Sequence, residues 1–144
     1  MQRSRGFSLI ELLVAVAITG ILATIAYPSF VEYIHKSRRT EAIAALSQIQ
    51  QAQERWRAQS TTYAANAVLS TAWPSGLGIT TPTVSGDYTL TISGNSATGY
   101  TATATAAGRQ LADSKCTALV VKITNGDVEY LATPTANAKR CWNK

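Results

Sequence analysis

Arg5-Gly6-Phe7-Ser8-Leu9-Ile10-Glu11 runs directly into LLVAVAITGILATIAYPSFV, residues 12–31, a stretch without a charged side chain. Coiled at 1.5 Å per residue, a run of that length reaches about 30 Å, one bilayer hydrocarbon core. A cleaved secretory signal would end in small residues at a cleavage site, and Ala23-Thr24-Ile25-Ala26 is a poor version of that pattern. A buried core helix would be shorter or show a polar face. A membrane helix fits best. Glu11 sits at its start, where a deeply buried carboxylate costs about 3 kcal/mol, so it needs a partner or a function unless headgroup water solvates it. Gly20 and Pro28 weaken the helix, one by backbone freedom and the other by a missing N–H donor. Flanking charge leaves orientation open, because Arg3 and Arg5 stand at one end and Lys36, Arg38 and Arg39 at the other.

Working outward, the helical period continues. Ala42, Ala45, Leu46, Ile49, Ala52 and Trp56 recur at three- and four-residue intervals, while Glu41, Gln48, Arg55 and Gln59 fall on the other side. One helix is expected from about Ser8 to Gln59, with Gln48, Gln50, Gln51 and Gln53 as a solvated or subunit-facing surface. Pro74, Gly76, Gly78 and Pro82 then break the pattern, so residues 60–85 read as a loop pinned by Trp73, Leu77 and Ile79. Strands follow where residues alternate: Tyr88, Leu90, Ile92; Tyr100, Ala102, Ala104, Ala106; Leu119, Val121, Ile123; and Val128 to Leu131. Gly94-Asn95-Ser96 and Asn125-Gly126 supply turns. Four antiparallel strands need a cover for their apolar face, and the helical stripe provides it, giving an α+β head. Threonines on the other face suit β structure without implying glycosylation.

The chain has 144 residues, enough for one domain plus a long appended element, and with 46 % hydrophobic residues it is not a disordered composition. Its formal charge of +5 is a basic excess that suits an anionic surface or nucleic acid without proving either. Cys116 and Cys141 form no CxxC, and the single histidine, His35, lies far from them, so no structural zinc site is available. The residues alone leave two readings: a disulfide in an exported domain, or separate buried thiols in a cytosolic one. There is no P-loop, GxSxG or HExxH, and no cofactor is indicated. His35 reads as a headgroup-level residue. Asp87, Asp113, Asp127 and Glu129 read as solvated surface charge, with Asp127 and Glu129 too few for a calcium site.

A basic residue, Gly6, Phe7, a short apolar stretch and Glu11, followed at once by a long apolar helix, resemble the processing motif of type IV prepilins. The resemblance implies a six-residue leader (1–6), a membrane-spanning and fibre-core half-helix (7–31) and a globular head (32–144) with the pilin fold. It implies cleavage between Gly6 and Phe7 and methylation of Phe7 by a prepilin peptidase and methyltransferase. Glu11 would attract the amine of a neighbouring subunit, and Gly20 and Pro28 match positions where pilin helices loosen in the fibre. Cys116 and Cys141 resemble the pair that closes the C-terminal disulfide loop. The leader, with its two arginines, stays cytoplasmic and leaves +3 on the remaining chain.

The implied precursor is a single-pass protein of the bacterial inner membrane with a periplasmic head. Its implied partners are the lipid bilayer, an inner-membrane assembly platform and other pilin subunits, and the implied end point is a surface pilus. Asp113-Ser114-Lys115-Cys116 and Cys141-Trp142 resemble minor pilins more than major ones. The function expected is therefore a non-catalytic structural subunit supporting pilus biogenesis, twitching motility, adhesion or DNA uptake. A major pilin, a pseudopilin of type II secretion and a DNA-binding uptake pilin are the alternatives, the cysteine pair counting against the pseudopilin. Lys139, Arg140, Trp142 and Lys144 are the candidate DNA contacts, against the plainer reading of a solvated basic tail with a packed indole.

Overall fold

The computed structural model describes residues 7–142. The expected leader, including Gly6, and Lys144 lie outside the described residues. The chain divides into two compact units at Ile34 and His35.

A single helix, α1, covers Leu9–Arg57 and passes through Gly20 and Pro28. In the first unit its side chains are exposed as far as Phe30, Leu9, Ile10, Leu12, Leu13, Val14, Ile18 and Ile25 among them. Its two threonine hydroxyls turn inward on the helix itself: Thr19 Oγ1 donates to the Ala15 carbonyl at 2.8 Å and Thr24 Oγ1 to the Ile21 carbonyl at 2.7 Å. With those donors satisfied, residues 12–26 present an almost purely hydrocarbon surface, as a lipid-facing helix requires. The helix is long and apolar enough to cross a membrane.

The second unit is an α+β head. Its sheet is a four-stranded antiparallel meander in the order β1-β2-β3-β4, with β1 Tyr88–Ser93, β2 Gly99–Ala106, β3 Ala118–Thr124 and β4 Asp127–Thr133. The register pairs Leu90 with Ala104, Ala102 with Val121, and Val121 with Tyr130. Alternation then sends Leu90, Ile92, Ala102, Ala104, Leu119, Val121 and Ile123 to one face, where they share a core with Ala42, Leu46, Ile49 and Ala52 of α1. Burial of each large aliphatic chain in that layer contributes about 1.5–3 kcal/mol. Asn125 and Gly126 both have positive φ, 52° and 89°, which the tight β3–β4 turn demands. At Gly99 a Cβ would fall 2.2 Å from the Ile123 carbonyl oxygen, so β2 and β3 can approach there only because that position is glycine.

The loop before β1 closes the sheet's first edge. Thr81 Oγ1 accepts from the Leu90 N–H at 2.9 Å, Asn66 Oδ1 accepts from the Ile92 N–H at 2.8 Å, and the Thr83 N–H donates to the Tyr88 carbonyl at 2.8 Å. An edge whose polar groups are already taken does not recruit another strand. A short helix, α2 (Ala138–Cys141), ends the described chain, and a tight 3-10 turn, Gly108–Ala112, links β2 to β3.

Two sequence expectations are corrected here. Gln53, grouped with the solvated glutamines, is fully buried: its amide donates to the Ala64 carbonyl at 3.0 Å and accepts from the Ala64 N–H at 2.8 Å. That two-way bond replaces a strand partner for a loop residue, which is why a polar side chain occupies the core stripe. Asp87 and Asp113, expected as surface charge, are buried because arginines of α1 meet them.

Candidate functional site

The N-terminal segment of the described chain begins at Phe7, which is 86 % exposed. Glu11 lies in the first turn of α1, and its Oε2 accepts from the Ser8 N–H at 3.0 Å. The first turn of a helix leaves N–H groups unsatisfied and carries partial positive charge, so a carboxylate placed there has a local partner. The same carboxylate keeps further acceptor positions for a donor brought by another chain. Gly20 has no neighbouring atom within 4 Å of where a Cβ would sit.

In the head, consecutive arginines take two different buried carboxylates. Arg39 Nε donates to Asp113 Oδ2 at 2.7 Å, with both side chains almost wholly buried. Arg38 Nε lies 3.6 Å from Asp87 Oδ2, which also accepts from Arg109 Nη2 at 3.1 Å. Gln110 Nε2 donates to Asp113 Oδ2 at 2.8 Å, and Gln110 Oε1 lies 3.5 Å from His35 Nδ1. Buried carboxylates are tolerated because each has a cation and further donors around it. His35 is thus a packing neighbour of Gln110.

Two phenols lie in the same core. Burial pushes the hydroxyls of Tyr88 and Tyr100 well above the ordinary tyrosine pKa; the charge of Asp113 adds to this at Tyr88, and that of Glu54 at Tyr100.

Cys116 and Cys141 form a disulfide, closing a loop with a sequence separation of 25, and both are fully buried. Asn137 Nδ2 donates to the Lys115 carbonyl at 3.0 Å, tying α2 to the segment that enters β3. Trp142 follows directly. Its Nε1 donates to the Leu131 carbonyl at 2.7 Å and its ring meets Tyr130 edge-on at 4.9 Å. The indole is 7 % exposed, so it is a packed residue of β4's flank and not an open stacking platform. Lys139 and Arg140 are exposed on α2 beside it. Of the four candidate DNA contacts, the structure therefore brings two exposed cations together and turns Trp142 inward.

Sequence reading did not single out the aromatic–cation pairs at the end of α1. Arg55 Cζ lies 4.7 Å from the centroid of Trp73, and Arg57 Cζ 5.2 Å from that of Tyr63. Trp73, expected to pin the loop, does so from a position still 41 % exposed. Glu129, once weighed for calcium, lies opposite Lys122 in the register with 3.6 Å between the charged atoms.

Residues 28–120 match the family described as type IV minor pilin ComP, DNA uptake sequence receptor. Residues 1–27 match the prokaryotic N-terminal methylation motif. Among curated relatives, the type IV major pilin protein PilA of Myxococcus xanthus is 43 % identical over 61 residues, which is 42 % of this chain and 28 % of that one. Fimbrial protein Q of Moraxella bovis is 47 % identical over 47 residues, 33 % of this chain and 30 % of its own length. A fimbrial protein of Pseudomonas aeruginosa is 43 % identical over 54 residues, 38 % of this chain and 35 % of its own length. The matches thus span about a third of these relatives or less. With a methylation motif, one long apolar helix, a four-stranded head, a C-terminal disulfide and a family match over more than half its length, this chain belongs to the type IV pilin family.

Proposed function

We propose that this chain is a minor subunit of a type IV pilus whose head serves DNA uptake. The observation that carries the reading is the match of residues 28–120, which runs from α1 through β1 and β2 to the start of β3, to a family described as type IV minor pilin ComP, DNA uptake sequence receptor. Residues 1–6 act as a leader cut between Gly6 and Phe7, Phe7 is methylated, and 7–31 leave the inner membrane to join the fibre core while 32–144 form the fibre surface. In that core Glu11 meets the amine of a neighbouring Phe7. Opposite charges attract strongly where water is excluded and are costly apart, so the pair selects correct axial register. Gly20 and Pro28 are where the helix gives on packing. The work is assembly rather than catalysis. The partners are a prepilin peptidase and methyltransferase, an inner-membrane assembly platform and other pilins. Lys139 and Arg140 supply phosphate contacts for DNA.

A second reading is a major pilin, favoured by the name of the Myxococcus xanthus relative. A strain deleted for this chain separates the two. The minor-pilin reading predicts normal fibre numbers with transformation by added DNA reduced to background. Loss of the fibres would establish the major-pilin reading, and intact fibres with unchanged transformation would remove the DNA-uptake role.

A further inference from the structure

One end of the head sets an exposed leucine beside exposed cations. In the turn Gly108–Ala112, Leu111 is 69 % exposed and the side chain of Arg109 is 66 % exposed. Gln110 between them is buried, and its Nε2 lies 3.5 Å from the His35 carbonyl oxygen. The turn is therefore held against the first residue of the head. Lys36, the next residue of α1, is exposed. Arg109 is fixed by Asp87, with Nε and Nη2 donating to its two oxygens at 3.2 and 3.1 Å. A guanidinium has five N–H donors, so this grip leaves others on the exposed side. The loop carrying Asp87 joins the same turn, the Ala107 N–H donating to the Asp87 carbonyl at 2.8 Å, and Val84 in that loop is 97 % exposed.

A single exposed leucine needs no explanation by itself. Its place along the chain gives it one. His35 follows Val31, the last residue of the charge-free stretch, by a chain of four residues, and four residues reach at most about 14 Å even when fully extended. The headgroup layer on one side of a bilayer is about 5–8 Å deep. Whatever direction the intervening residues take, a chain whose residues 12–31 span a bilayer holds this turn close to the lipid headgroups. We infer that this end of the head is a membrane-docking surface, on which Leu111 enters the interface of an anionic phospholipid leaflet while Arg109 and Lys36 meet lipid phosphates. The inference rests on the reading of residues 12–31 as membrane-spanning before assembly. Apolar insertion beside basic residues is how weak interfacial binding becomes lasting. Docking restricts the head to one tilt, so each precursor presents the same face to the next.

The test uses the full chain reconstituted in bilayers whose lipids carry bromine near the headgroup or deep in the acyl chains. A fluorescent amino acid is placed at Leu111, at Thr124 on the far end of β3, or at Ile18. Headgroup-level bromine should quench position 111 and spare 124, and deep bromine should quench position 18. Quenching at 111 should be strong with phosphatidylglycerol present and fall in neutral phosphatidylcholine or in about 0.5 M salt, which screens charge beyond a few ångströms. Arg109→Gln with Lys36→Gln should lower the docked population about fivefold per cation. Because Arg109 also holds Asp87, the lipid and salt comparisons on the unaltered chain decide the matter independently. Quenching at 18 without quenching at 111, or quenching at 111 that ignores lipid charge, overturns the docking surface and leaves the membrane span standing. No quenching at 18 overturns both. Shielding of 111 that appears only in assembled fibres assigns the patch to a neighbouring subunit instead.

Discussion

Arg39 of α1 and Asp113, three residues before Cys116, meet at 2.7 Å with 1 % and 2 % of their side chains exposed. The pair joins the helix to the segment that enters the disulfide loop, across a sequence separation of 74. Removing one partner of a buried ion pair leaves a charge that neither water nor a counter-ion relieves. Asp113→Ala should therefore destabilise the head by about 3–5 kcal/mol, whereas Arg39→Met combined with Asp113→Leu should lie within about 2 kcal/mol of the parent. Urea unfolding of the full chain in detergent, followed by tryptophan fluorescence, measures both. A single variant as stable as the parent would show that the pair contributes nothing.

Gln53 bonds both backbone groups of Ala64, so a nonpolar replacement of similar size strands a donor and an acceptor inside the head. Gln53→Leu should cost about 2 kcal/mol. Gln51→Leu, at an exposed position on the same helix, should cost little in the same unfolding experiment.

Much of this architecture was legible from residue order. The four strands and the helix follow from periods of two and about 3.6, and the observed helix, Leu9–Arg57, falls just inside the expected Ser8 to Gln59. The disulfide pairing came from family resemblance, since spacing alone left two thiols unassigned. Polar residues in the core were the part that escaped. Arg39 lies three residues before Ala42, and Gln53 four after Ile49, so both continue the buried stripe. Gln53 reads as surface by its polarity and Arg39 only as a charge flanking the apolar run, because their partners, Ala64 and Asp113, are fixed only by the tertiary fold. Trp142 was legible in its plainer reading: next to Lys139 and Arg140 it offers a stacking group, and Leu131 and Tyr130 make it the packed indole instead.

Breaking the Cys116–Cys141 disulfide frees the unfolded chain of a closed loop. The chain-entropy account gives about 3–4 kcal/mol for a loop of this length. Cys116→Ser with Cys141→Ser should lower stability by that amount and loosen the Trp142 environment, seen as a red shift and increased quenching of its emission. An unshifted spectrum would mean that Tyr130 and Leu131 hold the indole without the bridge.

Tyr88 and Tyr100 have pKa values raised above the unfolded value of about 10, chiefly by burial. A raised folded pKa means that the folded state binds more protons than the unfolded state once pH passes that value. The contribution is complete below about pH 10 and is lost as pH climbs toward the folded values. Tyrosinate absorbance should therefore reach its full amplitude only together with loss of the near-ultraviolet circular dichroism of the head. Complete ionisation of all six tyrosines with that signal intact would contradict the buried assignments.

The most direct test of the central claim is mass spectrometry of fibres sheared from cells, quantifying this chain against the other pilins present. The account predicts a small share, with a mature terminus at methylated Phe7. Absence from the fibres, or a dominant share, would contradict it.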